Sequence, residues 1–186
     1  MPHPAQVSHD QIIHTARDLF EVNGYEGVTM AQLAGALGIK APSLYKHFDD
    51  KNALLKAVNT LTMQELTQAM RDAITEKITP YQQCLGMGRA YWDYALAHPM
   101  AYHLALSTHE HISPDPQYLE ALALPLQAIF ADSVGKDESL VALRGAWALL
   151  HGFVALYLTG RFQREGDVYL AYERALGAYL AGWGIQ

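Results

Sequence analysis

Three times in this chain a hydroxyl residue is followed, three positions on, by glutamine and then by an apolar stripe: Ser8 with Gln11, Thr29 with Gln32 and Thr79 with Gln82. That spacing is a capping box, in which side chains close the free N–H groups at the start of a helix. Apolar residues then recur at intervals of three and four. After Ser8 they are Ile12, Ala16, Leu19 and Phe20, and Gly24 follows as a left-handed stop. After Thr29 they are Met30, Leu33, Ala34 and Leu37, with Gly38 as the stop and Val28 placed to staple onto Leu33. No alternating run is long enough to argue for a strand. A chain punctuated this way is expected to be all-α.

The rest of the sequence extends the pattern. Pro42 suits the first turn of a short helix over 42–48, with Leu44 and Phe48 on its inner side. Asp49 or Asp50 then caps a long fourth helix carrying Leu54, Leu55, Val58, Leu61, Leu66, Met70 and Ile74. From Thr79 a helix runs to about Ala97, Pro99 breaks it, and a short helix continues to about Thr108. His109 to Pro116 reads as a loop. Helices over 116–133, 138–162 and 167–182 complete about nine. The expected organisation is a three-helix helix-turn-helix domain over 1–50 and a helical bundle over 51–186.

Composition excludes several functions. Hydrophobic residues make up 51% and mean hydropathy is −0.02, which speaks against general disorder. No unbroken apolar run approaches the ~18 to 20 residues of a membrane span. Met1-Pro2-His3-Pro4 has neither the basic nor the apolar part of a secretory signal. The single Cys84 leaves no disulfide framework or cysteine zinc site, and a cytoplasmic location is expected. Net charge is −6. Residues 1–56 hold five basic and six acidic groups, so most of the negative excess lies beyond them. An anion-binding face is therefore best sought in the first 56 residues. No phosphate loop, dinucleotide fingerprint or nucleophile elbow occurs, so no enzyme and no cofactor are expected. His98, His103, His109 and His111 lack metal-ligand spacing, and no metal is expected.

The sharpest signal is segment 28–51. A capped helix, a tight turn at Gly38 and a short second helix make a helix-turn-helix. In such a unit the second helix enters the major groove of DNA with its N-terminal residues on base edges. Those residues here are Lys40, Ala41, Pro42 and Ser43. With Leu44 and Phe48 facing inward, Ser43, Tyr45, Lys46 and His47 face out. Lys51 and the amides that follow it offer a second phosphate site. The run Thr29-Met-Ala-Gln-Leu-Ala, then Leu37-Gly-Ile-Lys-Ala-Pro-Ser-Leu-Tyr45-Lys-His-Phe48-Asp-Asp-Lys51-Asn-Ala-Leu54, resembles the DNA-binding domain of TetR-family transcriptional regulators. Ala16-Arg-Asp-Leu-Phe20 before Gly24-Tyr25 resembles that family's first helix and turn. The resemblance implies that Thr29 touches phosphate, that Ala41, Pro42, Ser43 and Lys46 face bases, and that Tyr45, His47 and Lys51 hold the backbone. This segment is less basic than in many relatives.

Arg144-Gly-Ala-Trp147-Ala-Leu-Leu-His151-Gly152-Phe153 resembles a Trp…His-Gly motif of one TetR subgroup, in a region that supplies ligand pocket and dimer contacts in the family. Aromatic residues crowd the second part of the chain, and an apolar pocket between helices is the expected ligand site. Its candidate lining is Tyr91, Tyr94, His103, Trp147 and His151, with Arg89 and Arg144 available to an anionic ligand or to ion pairs. Gly145, Ala146, Ala148, Gly152 and Ala155, then Ala171, Ala175, Ala178 and Ala181, allow close approach of the last two helices to each other or to a second copy. The expected protein is a homodimer paired through those helices. With the resemblance, it is expected to read a palindromic double-stranded operator with half-sites about 34 Å apart, as a repressor that a small molecule releases. The alternative is an all-helical carrier or enzyme in which the N-terminal unit serves packing alone.

Overall fold

The computed structural model describes residues 7–74, 79–106 and 110–186. Among them are nine α-helices, one 3-10 turn and no strand: α1 (His9–Gly27), α2 (Met30–Ala36), α3 (Ala41–Leu44), α4 (Lys51–Asp72), α5 (Pro80–Ala97), α6 (Pro99–Ala105), the turn Glu110–Ile112, α7 (Pro116–Val134), α8 (Lys136–Leu158) and α9 (Val168–Gly182).

The chain divides into two compact units. The first runs to Met63 and takes in His98–Asp115; the second holds Gln64–Ala97 and Pro116–Gln186. This differs from the boundary expected after residue 50. The first helical turns of α4 bury Leu54, Leu55 and Val58 in the first unit's core, and so do Leu104 of α6 and Ile112. Apolar burial, which no local signal announces, sets the division.

In the first unit the caps form as their spacing requires. Ser8 Oγ accepts from Gln11 N–H at 3.1 Å while Gln11 Oε1 accepts from Ser8 N–H at 2.9 Å. Asp50 Oδ1 accepts from Ala53 N–H at 2.8 Å and so is the cap of α4. Gly24, at φ +70° and ψ +149°, is non-helical and closes the main run of α1 as expected; a short helical turn follows across the kink to Gly27. The inner stripe Ile12, Ala16 and Phe20 closes over Leu33, Leu44, Phe48 and Val58 in one buried cluster.

The second unit is built on rings. Trp92 lies 4.9 Å from Tyr157, 5.6 Å from Tyr169 and 4.9 Å from Tyr172, centroid to centroid. Tyrosine hydroxyls find backbone acceptors: buried Tyr172 donates to Gly88 O at 2.6 Å and half-buried Tyr179 to Ala142 O at 2.8 Å. A Cβ on Gly145 would run into the Tyr179 ring, so α8 and α9 meet there at glycine distance. Thr79 and Gln82 form the third capping box, ahead of α5. Cys84 is buried on α5, and burial pushes its thiol up to about 11. Gly160, at φ +66°, stops α8 at Leu158, short of the end expected at 162.

α8 is long and apolar. By length and composition it is apolar enough to cross a membrane, the one such helix among the described residues. Unbroken runs understated it, because Arg144, Gly145 and His151 interrupt a sequence whose average stays apolar. Its inner stripe, Ala142, Leu143, Ala146, Leu150 and Val154, is buried in the second unit.

Candidate nucleic-acid interface

The reading segment begins at Thr29, whose φ/ψ are extended and whose Oγ1 accepts from Gln32 N–H at 3.2 Å and donates to Gln32 Oε1 at 2.8 Å. The Thr29 hydroxyl thus serves the cap while its residue stays exposed. α2 ends at Ala36, and Gly38 at φ +67° turns the chain where a side chain would be strained. Lys40 is the N-cap of α3, extended and without a side-chain cap bond. Pro42 stands in the first turn, where no N–H is needed.

The helix expected over 42–48 is shorter than that. α3 covers Ala41–Leu44, and residues 45–47 continue as turns, with His47 N–H and Phe48 N–H both bonded to Leu44 O at 2.9 and 3.0 Å. Two aspartates and the cap of α4 follow at once, so the chain has no room for another helical turn. Leu44 and Phe48 are buried as expected and fix the segment from beneath. Pro42, Tyr45, Lys46 and His47 are exposed, Tyr45 by 52% of its surface, and Lys40 is exposed beside them. Ala41 and Ser43 are half-buried. Lys51 is half-buried as well, with its ammonium 3.4 Å from Glu26 O, so it braces the end of α1 as well as offering charge.

Sequence reasoning missed His9. Its ring stacks on Phe48 at 4.6 Å and stands 6.3 Å from the His47 ring, which places an exposed imidazole beside the wet side of the reading segment. The pairing joins residues 39 positions apart in sequence, so no spacing rule could have found it.

A family model described as "Bacterial regulatory proteins, tetR family" matches residues 12–58, and one described as "Tetracyclin repressor-like, C-terminal domain" matches 84–179. The chain belongs to the TetR family. It is 32% identical to an uncharacterised HTH-type transcriptional regulator, Rv0681, of Mycobacterium tuberculosis, over 84% of this chain and 73% of that one. It is 25% identical to the HTH-type transcriptional activator FasR of Mycolicibacterium smegmatis, over 97% of this chain and 84% of that one. The fold is shared with a TetR variant from Acinetobacter baumannii AYE in complex with minocycline: TM-score 0.72 at 20% identity, covering 96% of this chain and 97% of that one. The protein is a TetR-family helix-turn-helix transcriptional regulator, ligand-responsive and not an enzyme. Regulators of this family bind DNA and small-molecule effectors as dimers.

The effector candidates do not all fall together. Tyr91 is fully buried, with its ring edge-on to Trp147 at 5.7 Å. Tyr94 is buried and donates to Glu65 Oε2 at 3.0 Å. His151 is half-buried, and burial holds its imidazole below the ordinary value. These four residues belong to the second unit. His103 differs: it is exposed on α6 and belongs to the first unit. A surface cleft of about 490 Å³ lies over Arg161, Phe162, Arg164, Asp167 and Ala171, and none of the five candidates lines it. Of the four histidines weighed for metal, His109 lies outside the described residues. Among those described, no group of three or more His, Cys, Asp and Glu could hold an ion.

Proposed function

We propose that this regulator is a cytoplasmic homodimeric repressor of a palindromic operator, released when a small molecule binds its helical body. The observation that carries the reading is the exposed run Pro42, Tyr45, Lys46 and His47 standing on buried Leu44 and Phe48. A rigid turn with one wet side is what groove recognition needs, since contacts to phosphate position a protein and contacts to base edges specify the sequence. Lys40, Ala41, Pro42, Ser43 and Lys46 face bases; Thr29, Tyr45, His47 and Lys51 hold phosphates.

Pairing through α8 and α9 is supported by their outer faces. Val141, Ala148 and Leu156 on α8 are exposed, as are Leu170, Ala171, Ala178 and Ala181 on α9. Effector binding is assigned to the surroundings of Tyr91, Tyr94, Trp147 and His151, with His103 as an outlying member. The reading is tested by selecting duplexes from a random pool at two salt concentrations. The retained sites are expected to be palindromic with half-sites about one helical turn apart. Lys51→Ala is expected to lower the salt slope by about one phosphate contact. Retention of no duplex in dilute buffer overturns the reading; a reporter gene that falls silent rather than rising on deletion of the regulator overturns the repressor direction.

A further inference from the structure

α1 opens at His9, and the turn that follows α3 closes on Phe48. The two rings lie nearly parallel, 4.6 Å between centroids and 28° between planes. Phe48 is buried in the same cluster as Ile12, Leu44 and Leu54, so the core holds one face of the imidazole and fixes where it stands. The rest is in water, with 52% of the His9 side chain exposed. The His47 ring stands 6.3 Å away, exposed on the same wet side as Tyr45 and Lys46. Among the described residues neither imidazole makes a hydrogen bond. Covering Phe48 requires a flat ring or an apolar chain and no nitrogen, so packing leaves the His9 nitrogens without a task. Two imidazoles at this separation can both donate to one phosphate between them, since each N–H···O⁻ bond reaches about 2.8 Å beyond its ring.

We propose that His9 is a further DNA contact, holding one phosphate together with His47, and that the pair makes duplex binding proton-linked. The proposal rests on the DNA-binding reading above, and it brings a second, distant stretch of chain to the contact assigned there to His47. The charge balance gives such a pair weight. Across residues 28–51, three lysines against two aspartates leave one net positive charge, and two imidazolium groups would triple it. Histidine changes charge between about pH 5 and 8, and a neighbouring phosphate favours the charged form. Binding therefore takes up protons, so affinity is greatest on the acid side and falls as pH rises. Asp10, whose Oδ1 is 4.0 Å from His9 Nδ1, favours the same form. In the chain about His47, Lys46 opposes the charge, while Asp49 and Asp50 favour it and Asp50 also caps α4.

The test uses the full-length protein and a duplex retained from the pool, at constant ionic strength and at about pH 6 and about pH 8, on either side of the histidine range. The wild type is expected to bind about tenfold more tightly at the acid pH, the effect of one charge-assisted hydrogen bond. His9→Phe keeps a ring on Phe48 and removes both nitrogens. It should lose most of that gain and bind much as the wild type does at the alkaline pH. His9→Gln keeps a donor without the charge and should show the same flattened profile. His47→Gln should weaken acid-side binding too. The double variant should lose less than the product of the two single losses, because both rings hold one phosphate. A His9→Phe protein with wild-type affinity and pH profile shows that the ring serves packing alone and overturns the proposal. Single losses that simply multiply in the double variant overturn the shared phosphate. Both results leave the DNA-binding reading standing, whereas a wild type that retains no duplex overturns both.

Discussion

The two units solve the packing problem with different side chains. Of the aromatic residues, Phe20, Tyr25, Tyr45, Phe48 and Tyr102 fall in the first unit, and the other fourteen belong to the second. The first unit packs mainly aliphatic side chains, and its α1 and α2 are each started by a capping box and turned by a glycine. The second stacks rings and anchors their hydroxyls on the backbone of distant helices. A head that must present one turn to DNA gains from elements fixed locally. A body that must accept a ligand gains from large apolar surfaces with few polar tips.

The contrast can be broken at its strongest point first. Phe20→Ala removes a fully buried ring from the aliphatic core. It is expected to cost about 3–5 kcal/mol in denaturant unfolding. Loss of hydrogen-exchange protection should concentrate in α1, α2 and α6; a loss spread evenly through α5 and α9 would mean that the two cores do not respond separately. Gly145→Ala acts on the other core by driving a methyl into the Tyr179 ring and threatening its 2.8 Å bond to Ala142 O. A cost of about 1–3 kcal/mol is expected, with a changed near-ultraviolet dichroism from tyrosine and unchanged duplex affinity per folded dimer.

The smallest effect is that of pH on the body. Burial holds the His151 pKa below its ordinary value of 6.5. As pH falls below that value, the unfolded chain takes up a proton that the folded chain resists. Stability present above pH 6.5 is therefore lost towards the folded pKa. His151→Gln is expected to reduce the drop in urea midpoint on the acid side and to leave the midpoint at neutral pH almost unchanged. An acid limb identical in the two proteins would show that His151 is as well solvated folded as unfolded.

What the sequence made legible follows the same division. Ser8–Gln11, Thr29–Gln32 and Thr79–Gln82 act within one helical turn, so spacing alone announced them, as it did the glycine turn at Gly38 and the buried pair Leu44 and Phe48. α3 is shorter than its pattern suggests because the cap of α4 at Asp50 arrives before another turn can close. His9 over Phe48, Glu21 under α6 and Asn59 on Ile112 are products of tertiary packing between residues far apart in sequence. The bond from Tyr172 to Gly88 spans 84 residues. No periodicity encodes such pairs, so the effector candidates could be chosen by residue type but not by location, and His103 fell in the other unit.

Cys84 has a practical consequence. A thiol whose ionisation is driven up to about 11 carries almost no thiolate at neutral pH, and thiolate is the form that attacks electrophiles and peroxides. The native sulfhydryl is therefore chemically quiet in the folded protein. A second cysteine placed on an exposed helix can take a maleimide fluorophore or a spin label selectively, without first deleting the natural one.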